Sequence, residues 1–183
     1  MIISPAGWRT MFALAVSTLL ATTACSVQDA TPLPYCESEG SGLIAAQSVP
    51  SAELLPCFNS LPAGWDVDTV AIDQDRTQVV LDSDRAGMGA ARLRFEDGCD
   101  LGEAVEVPSN QEGADQFELI EQVEPRFRAQ RYYVFPGGCV WWDFDFDDDA
   151  SAALSIELGD QLSLISRELI NENIREKFID EEL

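Results

Sequence analysis

Apolar and polar residues alternate through the middle of the chain, and this alternation predicts an antiparallel sheet. WDVDTVAID at 65–73 alternates apolar and acidic residues, with Trp65, Val67 and Thr69 on one side and Asp66 and Asp68 on the other. TQVVLDSD at 77–84 and AARLRFE at 90–96 are two more strand candidates. EAVEV at 103–107 fits a short edge strand. Three further strands are expected at FELIEQV (117–123), FRAQRYYVF (127–135) and CVWWDFDF (139–146). Polar or glycine-containing turns separate these segments, as in antiparallel sheets.

The two ends of the domain carry a different pattern. SGLIAAQSVPSAELLPC at 41–57 predicts one short helix that stops near Pro50, followed by a turn or a second short helical piece. From Ala150 to about Phe178, apolar residues recur at spacings of three to five, which predicts one long amphipathic helix bent near Gly159. The stripe consists of Leu154, Leu158, Leu162, Ile165, Leu169 and Ile174. The expected fold class is therefore α+β: an antiparallel sheet of about five to seven strands, a short N-terminal helix and a long C-terminal helix.

The N-terminal segment has the layout of an export signal. It contains no acidic residue before position 25, one basic residue at Arg9, and an apolar run from Met11 to about Leu20 that is short for a membrane span. TTAC at 22–25 resembles the lipobox of bacterial lipoproteins. The resemblance implies cleavage before Cys25 and lipidation of that cysteine, while cleavage after Ala24 by ordinary signal peptidase is the alternative.

This resemblance divides the chain into three predicted parts and predicts its location in the cell. Residues 1–24 are the lipoprotein signal peptide, 25–35 the lipidated cysteine and its tether, and 36–183 a single extracytoplasmic domain. The expected location is the extracytoplasmic face of the bacterial cell membrane, to which the lipid anchors the protein.

The five cysteines agree with an exported protein. Lipidation of Cys25 removes the odd one, and four remain in an oxidising compartment, which predicts two disulfides. Four cysteines allow three pairings. We favour Cys36 with Cys57, which are close in sequence, and Cys99 with Cys139, which lie at the ends of two predicted strands.

Charge and composition exclude several classes of function. Without Arg9, the chain has 10 basic against 33 acidic side chains, a net charge near −23, which repels nucleic acid. The chain contains no histidine, so histidine-dependent nucleophile systems, a histidine general base and a histidine-ligated zinc site are excluded. No phosphate-binding glycine loop or dinucleotide fingerprint is present.

The stretch GGCVWWDFDFDDDA at 137–150 is the most unusual in the chain. On a strand, Val140, Trp142, Phe144 and Phe146 face the core, Trp141 and the acidic residues face the other way, and Asp148 or Asp149 caps the following helix. The alternative is a calcium site, for which carboxylates are suitable ligands. The spacing of side chains along a strand keeps its three candidate ligands too far apart to bind one ion without help from loops. We therefore expect no cofactor, with calcium as the alternative. Those candidates are Asp143, Asp145 and Asp147.

Arginines on neighbouring strands offer these acids another partner. Arg92 and Arg94 share one strand face, as do Arg126 and Arg128, so cross-strand pairing with Asp143 and Asp145 is expected. The alternative is an anion-binding patch, since a guanidinium binds carboxylate or phosphate through two donors. Its members are Arg126, Arg128 and Arg131.

A second resemblance covers most of the mature chain. AQSVPSAELLPC, LPAGW, LDSDRAG, PGGC and LISREL together resemble small uncharacterised envelope domains of actinobacteria. The resemblance implies a disulfide-bearing exported domain and carries no activity with it. We therefore predict a lipid-anchored binding or interaction module of the cell envelope, not an enzyme, whose partner is an envelope protein or a small ligand. The alternatives are a carboxylate-based hydrolase of cell-wall glycans and a calcium-binding surface protein.

Overall fold

A computed structural model describes residues 33–36 and 46–180 of the chain. Its strands are β1 Leu54–Phe58, β2 Trp65–Ile72, β3 Arg76–Ser83, β4 Gly87–Glu96, β5 Val105–Val107, β6 Asp115–Gln122, β7 Arg126–Phe135, β8 Gly138–Asp148 and β9 Leu162–Ser166. Residues 46–48 are helical, and two helices follow β8: α1 Ala153–Gly159 and α2 Arg167–Asp180. The signal peptide, Cys25, the first part of the tether and the Ile174 side chain lie outside the described residues.

Seven strands form one antiparallel sheet in the order β2-β3-β4-β8-β7-β6-β5. All seven were expected from the alternation of residue types, and their bounds differ from the predicted ones by a few residues. β8 lies at the centre, paired with β4 on one side and β7 on the other. The aromatic and acidic stretch of the sequence is therefore the middle strand of the sheet.

One face of the sheet is the core face. Val140, Trp142, Phe144 and Phe146 of β8 are at most 2% exposed, which confirms the predicted alternation along this strand. Phe58 packs edge-on against Trp142, with ring centroids 5.8 Å apart. Residues of β1, β9, α1 and the 46–52 segment complete the same cluster. We call this the inner face.

A second, two-stranded sheet pairs β1 with β9, and neither strand was expected. LLPCF was assigned to a turn or helical piece, but it pairs residue for residue with Leu162–Ser166. A parallel bridge from Tyr35 to Phe58 and the disulfide between Cys36 and Cys57 hold its other side. The local residue pattern did not reveal a strand whose partner lies over 100 residues away.

The predicted α+β class with a long C-terminal amphipathic helix is wrong, because the chain is mostly β. The expected helix is divided into α1, β9 and α2. Leu154 and Leu158 are buried on α1 and Leu162 on β9, whereas Leu169 on α2 is 51% exposed, so the spaced leucines do not form one stripe. The long-range pairing of β9 with β1 outweighs the helical spacing.

Gly159 ends α1 at a point where another side chain passes close to the backbone. A Cβ atom at this position would collide with the guanidinium of Arg131. Helix capping was also predicted incorrectly: α1 has Ala152 at its N-cap with no side-chain cap, and neither Asp148 nor Asp149 fills that position. Asp149 instead adopts a left-handed backbone with φ 68°.

The two expected disulfides are confirmed: Cys36 pairs with Cys57, and Cys99 pairs with Cys139. The second bond attaches the loop between β4 and β5 to the start of β8. Cys139 alternates with buried Val140, so it projects on the same side of the sheet as Trp141. The disulfide therefore holds the 97–104 loop beside the sheet surface opposite the core.

Candidate functional site

The surface opposite the core, which we call the open face, carries polar and aromatic side chains from the central strands. They alternate with the buried residues: Arg92 and Arg94 on β4, Trp141, Asp143 and Asp145 on β8, and Arg128, Gln130 and Tyr132 on β7. Most of these residues are intermediate in exposure, while Tyr132 is 5% exposed. The sheet hydrogen bonds fix their spacing, so the open face is a preorganised surface.

Arginine and carboxylate side chains pair across neighbouring strands of the open face, which confirms the expected pairing for Arg92, Arg126 and Arg128. Arg94 contacts Gln78 and Trp141 instead. Arg92 Nη1 lies 3.2 Å from Asp143 Oδ2, and Arg126 Nε lies 2.7 Å from Asp145 Oδ1. Arg128 Nη2 lies 3.3 Å from Glu121 Oε2, and its Nε lies 3.8 Å from Asp145. These pairs are partly exposed, so they contribute little stability but set the local charge pattern.

A row of stacked groups crosses the sheet next to the ion pairs. Arg94 donates from Nε to Gln78 Oε1 at 3.2 Å, and its guanidinium carbon lies 4.4 Å from the ring centroid of Trp141. On β7, Tyr132 stacks on the same indole with centroids 5.6 Å apart. The Tyr132 hydroxyl donates to Gln130 Oε1 at 2.6 Å. Trp141 is thus packed between two strand neighbours.

Two adjoining hollows lie on the open face, and Gln130 lines both. The charged hollow, of about 130 Å³, is bordered by Arg92, Glu121, Arg128, Gln130, Asp143 and Asp145. The aromatic hollow, of about 390 Å³, lies between the 97–104 loop and a set of β6, β7 and β8 side chains: Leu119, Gln130, Tyr132 and Trp141. We refer to the two hollows together as the cleft.

The loop changes the environment of the aromatic hollow. Burial raises the pKa of Tyr132, and the negative charges of Asp143 and Asp100 raise it further. The phenol therefore stays protonated through the neutral range and donates its hydrogen bond to Gln130.

The three arginines of the predicted anion-binding patch do not lie together. Arg126 and Arg128 share Asp145 on the open face. Arg131 is paired in register with buried Trp142, so it lies on the inner face. There its Nε is 2.7 Å from Glu118 Oε1, and its Nη1 donates to the Ser155 carbonyl of α1 at 3.4 Å.

The three predicted calcium ligands also lie in different surroundings. Asp143 and Asp145 are held by arginines, while Asp147 is exposed at the end of β8, beside Gly87. Within residues 33–36 and 46–180, no group of three or more Asp, Glu or Cys side chains is arranged to hold a metal ion.

The sequence did not point to the residues that join the hollows. Gln130, Glu121, Leu119 and the 97–104 loop carry no recognisable motif. The available signals were the register of β7 against β8, which places Gln130 opposite Asp143, and the Cys99 to Cys139 pairing, which places the loop.

No protein-family model, curated protein or solved structure matches this chain. Among the helices that the structure describes, none is long and apolar enough to cross a membrane.

Proposed function

We propose that the protein is a lipid-anchored, extracytoplasmic binding module of the bacterial cell envelope and that the open face is its binding surface. The observation that carries the proposal is the cleft: two adjoining hollows, lined by half-buried charged and aromatic side chains, on a sheet whose other face is filled by the core. Concave sites with a few convergent polar groups are the usual form of ligand sites.

The distribution of positive charge supports this choice of face. The chain has 11 basic and 33 acidic residues. Four of the arginines pair with or stack on groups of the open face: Arg92, Arg94, Arg126 and Arg128. These four arginines give one solvent-facing sheet surface both signs of charge in a protein that is strongly acidic as a whole.

The cleft favours binding over hydrolysis. A glycan hydrolase needs two carboxyl groups facing one cleft, one as acid and one as base or nucleophile. Asp143 and Asp145 are the central carboxylates here, and each is engaged by at least one guanidinium. One oxygen of each carboxylate is thus held by an arginine of a neighbouring strand, as suits a fixed recognition surface.

The lipid anchor supplies the location in this proposal. It rests on the TTAC resemblance and on the cysteine count, since the two disulfides use four of the five cysteines and leave Cys25. Anchored through that residue, the domain stays close to the membrane and meets envelope components at high local concentration.

The test is capture of envelope components from solubilised bacterial membranes by the full-length protein, compared among matched variants. Arg92→Ala removes an arginine of the cleft, and Arg76→Ala removes an exposed arginine outside it, paired with Asp73. We expect a component retained by wild type and Arg76→Ala to be lost or sharply reduced with Arg92→Ala, at equal unfolding midpoints. Equal capture by all three proteins would contradict the proposal.

A further inference from the structure

The cleft combines donors and acceptors in a way that identifies a class of ligand. We infer that it binds an uncharged, hydroxyl-rich glycan segment, and this inference rests on the proposed function of the open face. The hydrogen-bonding groups of the cleft that remain after the internal contacts are made define this class.

Donors remain free along the cleft. Gln130 uses Oε1 to accept from Tyr132, and its amide nitrogen has no protein partner among the residues that the structure describes. Arg92 uses one of its nitrogens for Asp143, so within the same set of residues its other N–H groups are unpaired. The indole N–H of Trp141 likewise has no partner in the described part of the chain.

Acceptors lie between these donors. Asp143 accepts through Oδ2 and Asp145 through Oδ1, and each carboxylate has a second oxygen. Glu121 borders the same hollow. Three carboxylates and two guanidiniums therefore share one small depression.

The mixture of charges in the charged hollow disfavours charged ligands of either sign there. An anion that approached Arg92 or Arg128 would come close to three carboxylates, and a cation attracted by those carboxylates would meet the two guanidiniums. A hydroxyl group both donates and accepts, so a neutral polyol pairs with both kinds of group without bringing in a charge.

The aromatic hollow fits the other part of a sugar, its apolar C–H surface. Leu119 and Tyr132 border this hollow, and Trp141 presents an edge to it because its two ring faces are occupied by Arg94 and Tyr132. Residues 99–102 of the loop, which include the apolar Leu101 and the carboxylate Asp100, form the opposite wall together with Glu96 at the end of β4.

The length of the cleft indicates more than one sugar ring. The lining residues span four neighbouring strands, from Arg92 on β4 through β8 and β7 to Leu119 on β6. Three strand spacings amount to about 14 Å. An oligosaccharide lying across the strands would contact both hollows at once, with Gln130 at the junction.

The matched variants are Gln130→Glu and Gln78→Glu. Both glutamines lie on the open face and accept a hydrogen bond through Oε1, from Tyr132 and Arg94 respectively, but only Gln130 lines the cleft. Each substitution keeps the acceptor and replaces the amide donor by a carboxylate oxygen. Any general effect of added negative charge on the sheet therefore appears in both proteins.

The experiment measures binding of short neutral hexose and N-acetylhexosamine oligomers to the full-length protein, held in a detergent without a sugar head group. Uronic acid oligomers and amino-sugar oligomers with free amines serve as charged probes. We expect neutral oligomers to bind more tightly than both. Gln130→Glu should weaken that binding about threefold to tenfold, the effect of one lost hydrogen bond, and Gln78→Glu should leave it unchanged.

Three results would overturn the inference. Tighter binding of uronic acid oligomers would assign the cleft to anions, and an equal effect of the two glutamine variants would place the sugar outside the cleft. If no saccharide binds while capture from membranes still depends on Arg92, the glycan class is wrong and the binding module stands. If both fail, the proposed function is wrong as well.

Discussion

Arg131 connects the seven-stranded sheet to α1 on the inner face, and Arg131→Met tests how much its contacts contribute to the stability of the fold. The substitution keeps an apolar stem of similar length above Gly159 and removes the guanidinium. Glu118 then loses its ion-pair partner at 2.7 Å and keeps the Gln116 amide donor at 3.2 Å, and the Ser155 carbonyl loses a donor. Arg76→Met is a matched control, because its Nε also contacts a carboxylate, that of Asp73 at 3.2 Å.

The exposed fractions of the side chains decide the expected magnitude. The Arg131 and Glu118 side chains are 13% and 26% exposed, and those of Arg76 and Asp73 are 57% and 58% exposed. Exposed pairs contribute about 0–1 kcal/mol, whereas removing one partner of a buried pair costs about 3–5 kcal/mol. The Arg131 pair lies between these cases, so we expect a loss of about 2 kcal/mol for Arg131→Met and about 0.5 kcal/mol or less for Arg76→Met.

The assay is urea unfolding followed by tryptophan fluorescence, since Trp65 and Trp142 are buried. For a domain of this size, the same loss lowers the melting temperature by about 4–8 °C. A double-mutant cycle with Glu118→Gln should assign at least half of the loss to the pair. A loss of unfolding free energy for Arg131→Met that is no larger than that for Arg76→Met would refute this role of Arg131.

Three further predictions concern other parts of the chain. Arg167 donates to three backbone carbonyls of residues 46–52, so Arg167→Met should lower the melting temperature by several degrees more than the exposed control Arg175→Met, and equal melting would contradict this role. Burial raises the pKa of Tyr133, although the positive charge of Arg131 acts in the opposite direction. The buried phenol therefore contributes its full stability below the ordinary phenol pKa of about 10, and this contribution is lost as the pH rises through the raised pKa. Unfolding free energy should therefore fall above about pH 10, and Tyr133→Phe should flatten that fall; an unchanged slope would refute it. Cys25→Ala should release the protein from membranes or leave an uncut precursor, as fractionation and mass spectrometry would show, and normal cutting with full membrane retention would exclude lipidation at this residue.

The central sheet was predictable because each strand carries its own signal. Alternation in CVWWDFDF matches the side chains that are buried, and antiparallel neighbours along the chain are joined by short turns. In WDVDTVAID the strand was predicted, but of its alternating residues only Trp65 is buried and Val67 is 38% exposed. The pairing of Arg92 with Asp143 followed from the same reasoning, since residues on one face of adjacent strands meet.

The C-terminal part was not predictable from local pattern. Leucines at positions 154, 158 and 162 satisfy a helical period, but the third belongs to a strand whose partner is β1. Gly159 was assigned to a bend, whereas its lack of a side chain makes room for Arg131 from another strand. In both cases a tertiary contact determines the local structure, and one sequence does not display that contact.

The cleft was only partly visible in the sequence. The acidic and arginine residues were recognised, but their assignment to one face required the register of β7 against β8. Arg131 differs from Arg128 by an odd number of residues, and an odd offset along a strand places side chains on opposite faces. The position of Gln130 between the two hollows depends on the loop that the Cys99 disulfide holds beside it, and the sequence does not display that contact.

Position-specific photocrosslinking in intact cells tests the central claim most directly. A photoreactive residue replaces Leu119 in the cleft of the full-length protein, and in a separate variant it replaces Ile156, which is 56% exposed on α1 at the inner side. We predict crosslinks to an envelope component from position 119 and none above background from position 156. Crosslinks only from position 156, or from neither position, would contradict the assignment of the open face as the binding surface.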